Sequence, residues 1–332
     1  MPRRPSSSAS WAAESPVRMP AVGVSLTERV NLYEVAPRDG LQNESAVLCT
    51  EDKLAFCEAL VAGGYTDIEA SSFVRPRWIP QLADAGDLFA RLPAVEGLTW
   101  WGLVPNQRGL DRAVACGVEA VATFVSASET HNLKNLNRTT KESLQALGEV
   151  IANARADGLL VRSYISTVFG CPYEGRVEPS RTADIALSLL AAGANQISLG
   201  DTTGMGDPRL VREVLSVLAE RGVSTDMVAL HMHDTRGSAL ANCLAGLEAG
   251  IRTFDASVAG LGGCPYAPGA SGNAATEDLV HMLHAMGYET GLDIEAVAEA
   301  GHFIEAVLGR ELPGRYHLYH RGSQKTQSRN RA

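Results

Sequence analysis

The chain has 332 residues, a net charge of −9 and a pI near 5.4, and its basic clusters lie in the tails, which excludes a nucleic-acid binder. Hydrophobic content of 45% with 20% charged residues describes an ordinary globular protein, and no apolar run reaches the roughly 18 residues that a membrane span needs. The six cysteines (Cys49, Cys57, Cys116, Cys171, Cys243, Cys264) contain no C-x-x-C pair and read as reduced thiols of a cytoplasmic chain.

Residues 1–27 are rich in Ser, Pro and Arg, carry Glu14 and lack an amphipathic face. They predict a disordered tail rather than a transit peptide. From 28 to 310, strand-like apolar runs alternate with helical patterns. The first strand is predicted over Val30–Ala36, followed by the loop Pro37–Glu44 and a helix over Glu51–Ala62. Next come a strand over Thr66–Phe73 with a helix near Ile79–Arg91, and a strand over Leu98–Val104 with a helix over Asn106–Cys116. The fourth strand, Ala120–Ser126, leads through a long loop to a helix over Thr140–Ala156. A fifth, Val161–Phe169, precedes a helix over Arg181–Ala192, and a sixth, Gln196–Gly200, precedes one over Pro208–Arg221. Strand seven, Val228–His233, is paired with a helix over Ser238–Ala249. Strand eight, Thr253–Val258, leads to a glycine-rich loop and a helix over Thr276–Met286.

Glycine follows most of these helices within a residue or two, as helix ends prefer. Eight β-α units in about 255 residues are the count and size of a closed barrel. The expected fold is α/β, a (β/α)8 TIM barrel with an extra C-terminal helix over Ile294–Leu308, and residues 311–332 form a polar tail, basic and frayed from about His317.

The histidines of Leu230-His231-Met232-His233-Asp234 share one face of a strand, at its C-terminal end, where barrel enzymes collect catalytic groups. Two adjacent imidazoles suit a divalent metal, with a hydrogen-bonded histidine pair as the alternative. The same mouth is expected to receive Arg38 and Asp39 from strand one, Glu69 from strand two and Tyr164 from strand five. Asp201 from strand six joins them, with Cys264 and Asn273 from the glycine-rich loop. Asp39, His231, His233 and Asn273 make a mixed oxygen and nitrogen set suited to Mg²⁺ or Mn²⁺, with Zn²⁺ or Co²⁺ also compatible. Taken alone, Asp39 reads equally as a capping residue, Arg38 as a salt bridge to Glu69 or Asp201, and Cys264 as inert packing. Arg38 beside a metal would add fixed positive charge for an enolate or carboxylate. The chain has four lysines (Lys53, Lys134, Lys141, Lys325) and none falls on a predicted strand, which disfavours a Schiff-base aldolase. Gly200-Asp201-Thr202-Thr203-Gly204-Met205-Gly206 does not fit a dinucleotide-binding pattern.

Pro37–Glu44, Ile68–Val74, Phe169–Gly175, Ser198–Thr202, His231–Asp234 and Ser257–Asn273 together resemble the 3-hydroxy-3-methylglutaryl-CoA lyase family, over about Val30 to Leu308. The resemblance implies a metal held by Asp39, His231, His233 and Asn273, Arg38 stabilising the acetyl-CoA enolate, and Cys264 acting as acid. It implies that Glu69, Tyr164 and Asp201 orient the substrate or the metal's surroundings, with Arg38, Tyr164 and Asn43 contacting substrate. The general base, Asp39 or His233, stays open. The partner expected is an acyl-CoA substrate, and a homodimer is compatible with barrel enzymes of this kind. Two departures stand out. Ser45 occupies the position where the family pattern usually has Lys, which keeps a related substrate such as citramalyl-CoA in play. No cysteine follows Cys264, so the C-terminal redox switch of animal relatives is expected to be absent. A condensing synthase would need a further C-terminal domain, and a non-catalytic metal- or acyl-CoA-binding protein would be expected to lose Arg38, Asp39 or Cys264.

Overall fold

In the computed structural model, residues 28–264 and 267–331 are described, with the side chains of 264–271 and 325–331 left aside. Eight parallel strands close into a barrel: β1 Asn31–Glu34, β2 Asp67–Ser72, β3 Thr99–Leu103, β4 Ala120–Ser126, β5 Leu160–Ser166, β6 Gln196–Gly200, β7 Val228–His231 and β8 Thr253–Ala256. β1 pairs with both β2 and β8, which closes the ring. The helices around it are α1 Thr50–Ala62, α2 Ala85–Phe89, α3 Gln107–Ala115, α4 Glu129–Leu136, α5 Thr140–Ala156, α6 Pro179–Ala191, α7 Pro208–Glu220, α8 Ala239–Glu248 and α9 Thr276–Ala285. Two more, α10 Ile294–Leu308 and α11 Arg315–Arg331, follow.

Side-chain alternation splits the core into two. Outward-facing Leu32, Ile68, Val121, Ile165, Ile197, Leu230 and Phe254 pack under the helices with Phe56, Leu60, Leu110, Ile151 and Leu189, all buried. Each such side chain contributes about 1.5–3 kcal/mol by leaving water. Inward, Tyr33 and Trp101 pack on Ala120, and the fully buried Arg162 lies 3.8 Å above the Tyr33 ring. On β4 the residue level with Arg162 is the small, buried Ala122.

Several expected boundaries move. β1 ends at Glu34 rather than Ala36, because the N–H groups of Arg38, Asp39 and Gly40 all turn back to the Val35 carbonyl (3.1, 2.7 and 3.2 Å) in a π turn. β5 stops at Ser166 rather than Phe169 because Thr167 takes φ 60° and turns the chain, its N–H donating to Thr202 Oγ1 at 2.9 Å. β7 stops at His231, and His233 instead bridges to Asn273. The loop expected after β4 contains α4, whose polar sequence gave no apolar stripe. Ser128 caps it, accepting from His131 N at 3.1 Å, and Asn137 ends it at φ 54°. The segment expected to fray from His317 onward is helical, because α11 lays His317, fully buried, against α10. Among the described residues no helix is long and apolar enough to cross a membrane.

Candidate active site

The π turn after β1 carries Arg38 and Asp39 over the C-terminal mouth of the barrel. Arg38 Nε donates to Glu69 Oε1 on β2 at 2.7 Å, its Nη1 pairs with Asp39, and Tyr164 on β5 donates its hydroxyl to Glu69 Oε2. Burial alone would lower the Arg38 pKa, but Glu69 and Asp39 hold it well above the ordinary value. Arg38 is therefore a permanent cation fastened by two carboxylates. The salt bridge that the sequence left as an alternative exists, to Glu69, and Tyr164 and Glu69 hold Arg38 in place.

Across the mouth, His231 Nε2 lies 3.3 Å from His233 Nε2 and 3.8 Å from Asp39 Oδ2. Asn273 Nδ2 donates to Asp39 Oδ2 at 3.0 Å and to the Leu261 carbonyl at 3.3 Å. Gly262 makes this approach feasible: at φ 130°, a Cβ there would sit 2.8 Å from Asn273 Nδ2. For Asp39, burial pushes the carboxyl up, yet Arg38, His231, His233 and the Asn273 hydrogen bond together hold it well below the usual carboxylate range. Burial, with His231 and Arg38 nearby, pushes the His233 imidazole down to about 4, so it is neutral at physiological pH.

This donor set fits a divalent cation. One atom each of Asp39, His231 and His233 lies within 4.8 Å of the others. Ligands at about 2.1 Å in octahedral geometry stand about 3 Å apart, so small side-chain adjustments suffice. Behind them, Asp255 on β8 accepts from His231 Nδ1 at 3.0 Å. Burial raises the Asp255 carboxyl, but Arg162 and His231 overcome that and keep it ionised, so it accepts from His231 Nδ1 and leaves Nε2 facing the mouth. A carboxylate behind a histidine is the arrangement that supports metal-ligating imidazoles. Ser198 Oγ donates to the same carboxylate at 2.8 Å, and Arg162 pairs with it.

The mouth opens into a cavity of about 470 Å³. Arg38, Asp39, Asn43, Tyr164, His231 and His233 line it, as does Gly263. Asn43 sits at the rim, its Nδ2 3.5 Å from the Gly263 carbonyl. Cys264 follows Gly263 on a two-residue strand, β9 (Gly263–Cys264), paired with β10 (Ala267–Ser271); its side chain lies outside the described residues. Asp201 is fully buried beside the cavity rather than on its wall: its carboxylate accepts from the amides of Met205 at 2.8 Å and Gly206 at 3.1 Å. Burial raises its pKa to about 6 despite those bonds. Lys53 pairs with Asp84 outside the cavity.

The sequence reading missed Asp255, Arg162 and Ser198, whose only signal is a charged or polar residue at an inward strand position. It also missed the far wall, where α4 supplies His131, Asn135 and Leu136.

The HMGL-like family model matches residues 29–304. Hydroxymethylglutaryl-CoA lyase YngG of Bacillus subtilis is 47% identical over 288 residues, 87% of this chain and 96% of that protein. A solved HMG-CoA lyase structure from Bacillus subtilis superposes with a TM-score of 0.86 at 46% identity, covering 88% of this chain and 98% of that one. A second, an HMG-CoA lyase from Acinetobacter baumannii in complex with coenzyme A and 3-methylmalate, gives 0.83 at 37% identity, covering 88% and 95%.

Proposed function

The chain belongs to the hydroxymethylglutaryl-CoA lyase family, and we propose that it cleaves 3-hydroxy-3-methylglutaryl-CoA to acetyl-CoA and acetoacetate. The observation that carries this is the convergence of Asp39, His231, His233 and Asn273 beside Arg38 on one cavity. Those four residues would hold a divalent ion, Mg²⁺ or Mn²⁺, with Asn273 contributing its amide oxygen. Bound there, the ion would supply Lewis-acid polarisation of the substrate's hydroxyl and carboxylate oxygens.

Asp39 and His233 are both unprotonated at neutral pH, and one of them takes the proton from the C3 hydroxyl. The oxygen's electron pair then forms the ketone of acetoacetate, and the C2–C3 pair leaves with C2 as the enolate of acetyl-CoA. Arg38, unable to lose its proton and held by Glu69 and Asp39, stabilises the negative oxygen. Cys264, next to cavity-lining Gly263, delivers a proton to C2, which balances the one removed. Glu69 and Tyr164 position Arg38, and Asp201 fixes the Gly200–Gly206 turn that forms part of the wall. Asn43 at the rim contacts the acyl-CoA. A cytoplasmic location belongs to the same reading.

Ser45 is exposed and does not line the cavity, so its departure from the family pattern leaves the reacting end intact. The test is acetyl-CoA release by purified protein with Mg²⁺ or Mn²⁺ from 3-hydroxy-3-methylglutaryl-CoA and, separately, from citramalyl-CoA. EDTA and His233→Ala serve as controls. Rapid metal-dependent turnover of the first supports the proposal. Turnover of the second alone would keep the machinery and replace the substrate.

A further inference from the structure

Helices α10 and α11 pack against each other outside the barrel, and on the faces that meet each presents a pair of metal-capable side chains three residues apart. On α10 these are His302 and Glu305, and on α11 they are His317 and His320. Such spacing puts each pair on one helix face, and the two faces meet. One ligand atom each of His302, Glu305 and His317 lies within 4.8 Å of the others. His317 Nε2 is 2.9 Å from Glu305 Oε2, and His302 Nε2 is 2.9 Å from His320 Nδ1. The His302 ring centroid stands 4.4 Å from that of His317 and 5.2 Å from that of His320.

We propose that His302, Glu305, His317 and His320 form a second divalent-cation site, of the zinc class, that clamps α11 onto the barrel. Tetrahedral ligands at about 2.0 Å stand about 3.3 Å apart, so the two 2.9 Å contacts open by about 0.4 Å, and His320, outside the 4.8 Å grouping of the other three, turns in beside His302 to complete the set. The surroundings suit it. Glu295 Oε2 lies 2.9 Å from His320 Nε2, the carboxylate-behind-histidine arrangement again. Arg321 donates to Glu305 Oε1 at 2.9 Å, and the Leu312 amide donates to Oε2 at 2.8 Å, fixing the carboxylate with Oε2 toward His317. His317 is fully buried, with Nε2 turned to Glu305. A separate cavity of about 350 Å³, walled by His302, Glu305, Arg310 and Glu311, gives an ion access from solvent.

The test counts zinc on the full chain after stripping with EDTA, reloading with excess Zn²⁺ and gel filtration. Wild type is expected to keep one equivalent more than His302→Gln/His320→Gln. The active-site variant Asp39→Ala/His233→Ala is expected to keep one equivalent, and with Co²⁺ in its place to show the intense visible band of a tetrahedral site. Acetyl-CoA release by His302→Gln/His320→Gln should match wild type. Equal zinc on wild type and that variant, or no zinc on the active-site variant, overturns the proposal. Should the histidine double variant fail to fold, the active-site variant decides alone.

Discussion

Asp255→Asn separates the support of the site from the site itself. Asp255 and Arg162 are both completely buried, and the same carboxylate takes His231 Nδ1 and Ser198 Oγ. The substitution keeps volume and removes charge, leaving Arg162 as an uncompensated buried cation. Breaking such a pair costs about 3–5 kcal/mol, a large share of the about 5–15 kcal/mol that holds a domain folded. At about 2 °C per kcal/mol for a chain of this size, the melting temperature should fall by roughly 6–10 °C. Independently, His231 loses the anion that sets its tautomer, and metal affinity or kcat should drop about 10–100-fold. Arg162→Met/Asp255→Asn distinguishes the two effects. Removing the orphaned cation should recover most of the melting temperature without recovering metal affinity, read by calorimetric titration with Mn²⁺ and by acetyl-CoA release. A double variant that regains both, or an Asp255→Asn protein as active as wild type, would refute the link between Asp255 and His231.

Other substitutions reach different parts of the account. Arg38→Gln should lower kcat about 100–1000-fold with a smaller change in KM, because the lost charge serves the enolate more than the bound substrate; steady-state kinetics reads the split. Asn135→Ala and Leu136→Ala on α4 should do the reverse, raising KM with kcat little changed, since both line the wall away from Asp39 and His231. Burial pushes Glu277 up to about 8 and Glu34 up to about 7, so the folded state binds protons that the unfolded chain has released. Stability should therefore be greatest below about pH 4.5 as far as these two groups are concerned, and decline as pH rises toward 8. Denaturant titrations of Glu277→Gln should show a flatter profile over that window. EDTA should abolish acetyl-CoA release, with Mg²⁺ or Mn²⁺ restoring it.

Where a segment met only local demands, its sequence told its structure. β4, β6, α5 and α10 lie where their apolar patterns place them, the two strands as nearly continuous buried runs and the two helices with buried positions at helical spacing. α5 also carries a complete capping box, with Thr139 and Glu142 bonding each other's backbone amides. α4 was illegible because it is short, polar and held by Asn132 and Ser128 rather than by an apolar stripe. Thr167 at φ 60° was illegible for a different reason: its hydroxyl's hydrogen bond with Ser126 and its N–H donated to Thr202 Oγ1 hold a β-branched residue where its own preference would not. The His231–His233 pair was visible because its spacing carries meaning within one strand. Asp255 was not, because its partners Arg162 and His231 lie 93 and 24 residues away. A lone acid in an apolar run has no pattern until the barrel closes.

The most direct measurement is the product balance in D₂O, with the purified chain, 3-hydroxy-3-methylglutaryl-CoA and Mg²⁺. Acetyl-CoA and acetoacetate should appear in equal amounts, with one solvent deuterium in the acetyl methyl group, as protonation of a C2 enolate requires. Intact substrate with metal bound to Asp39, His231 and His233 would contradict the account, as would acetyl-CoA without an equivalent of acetoacetate.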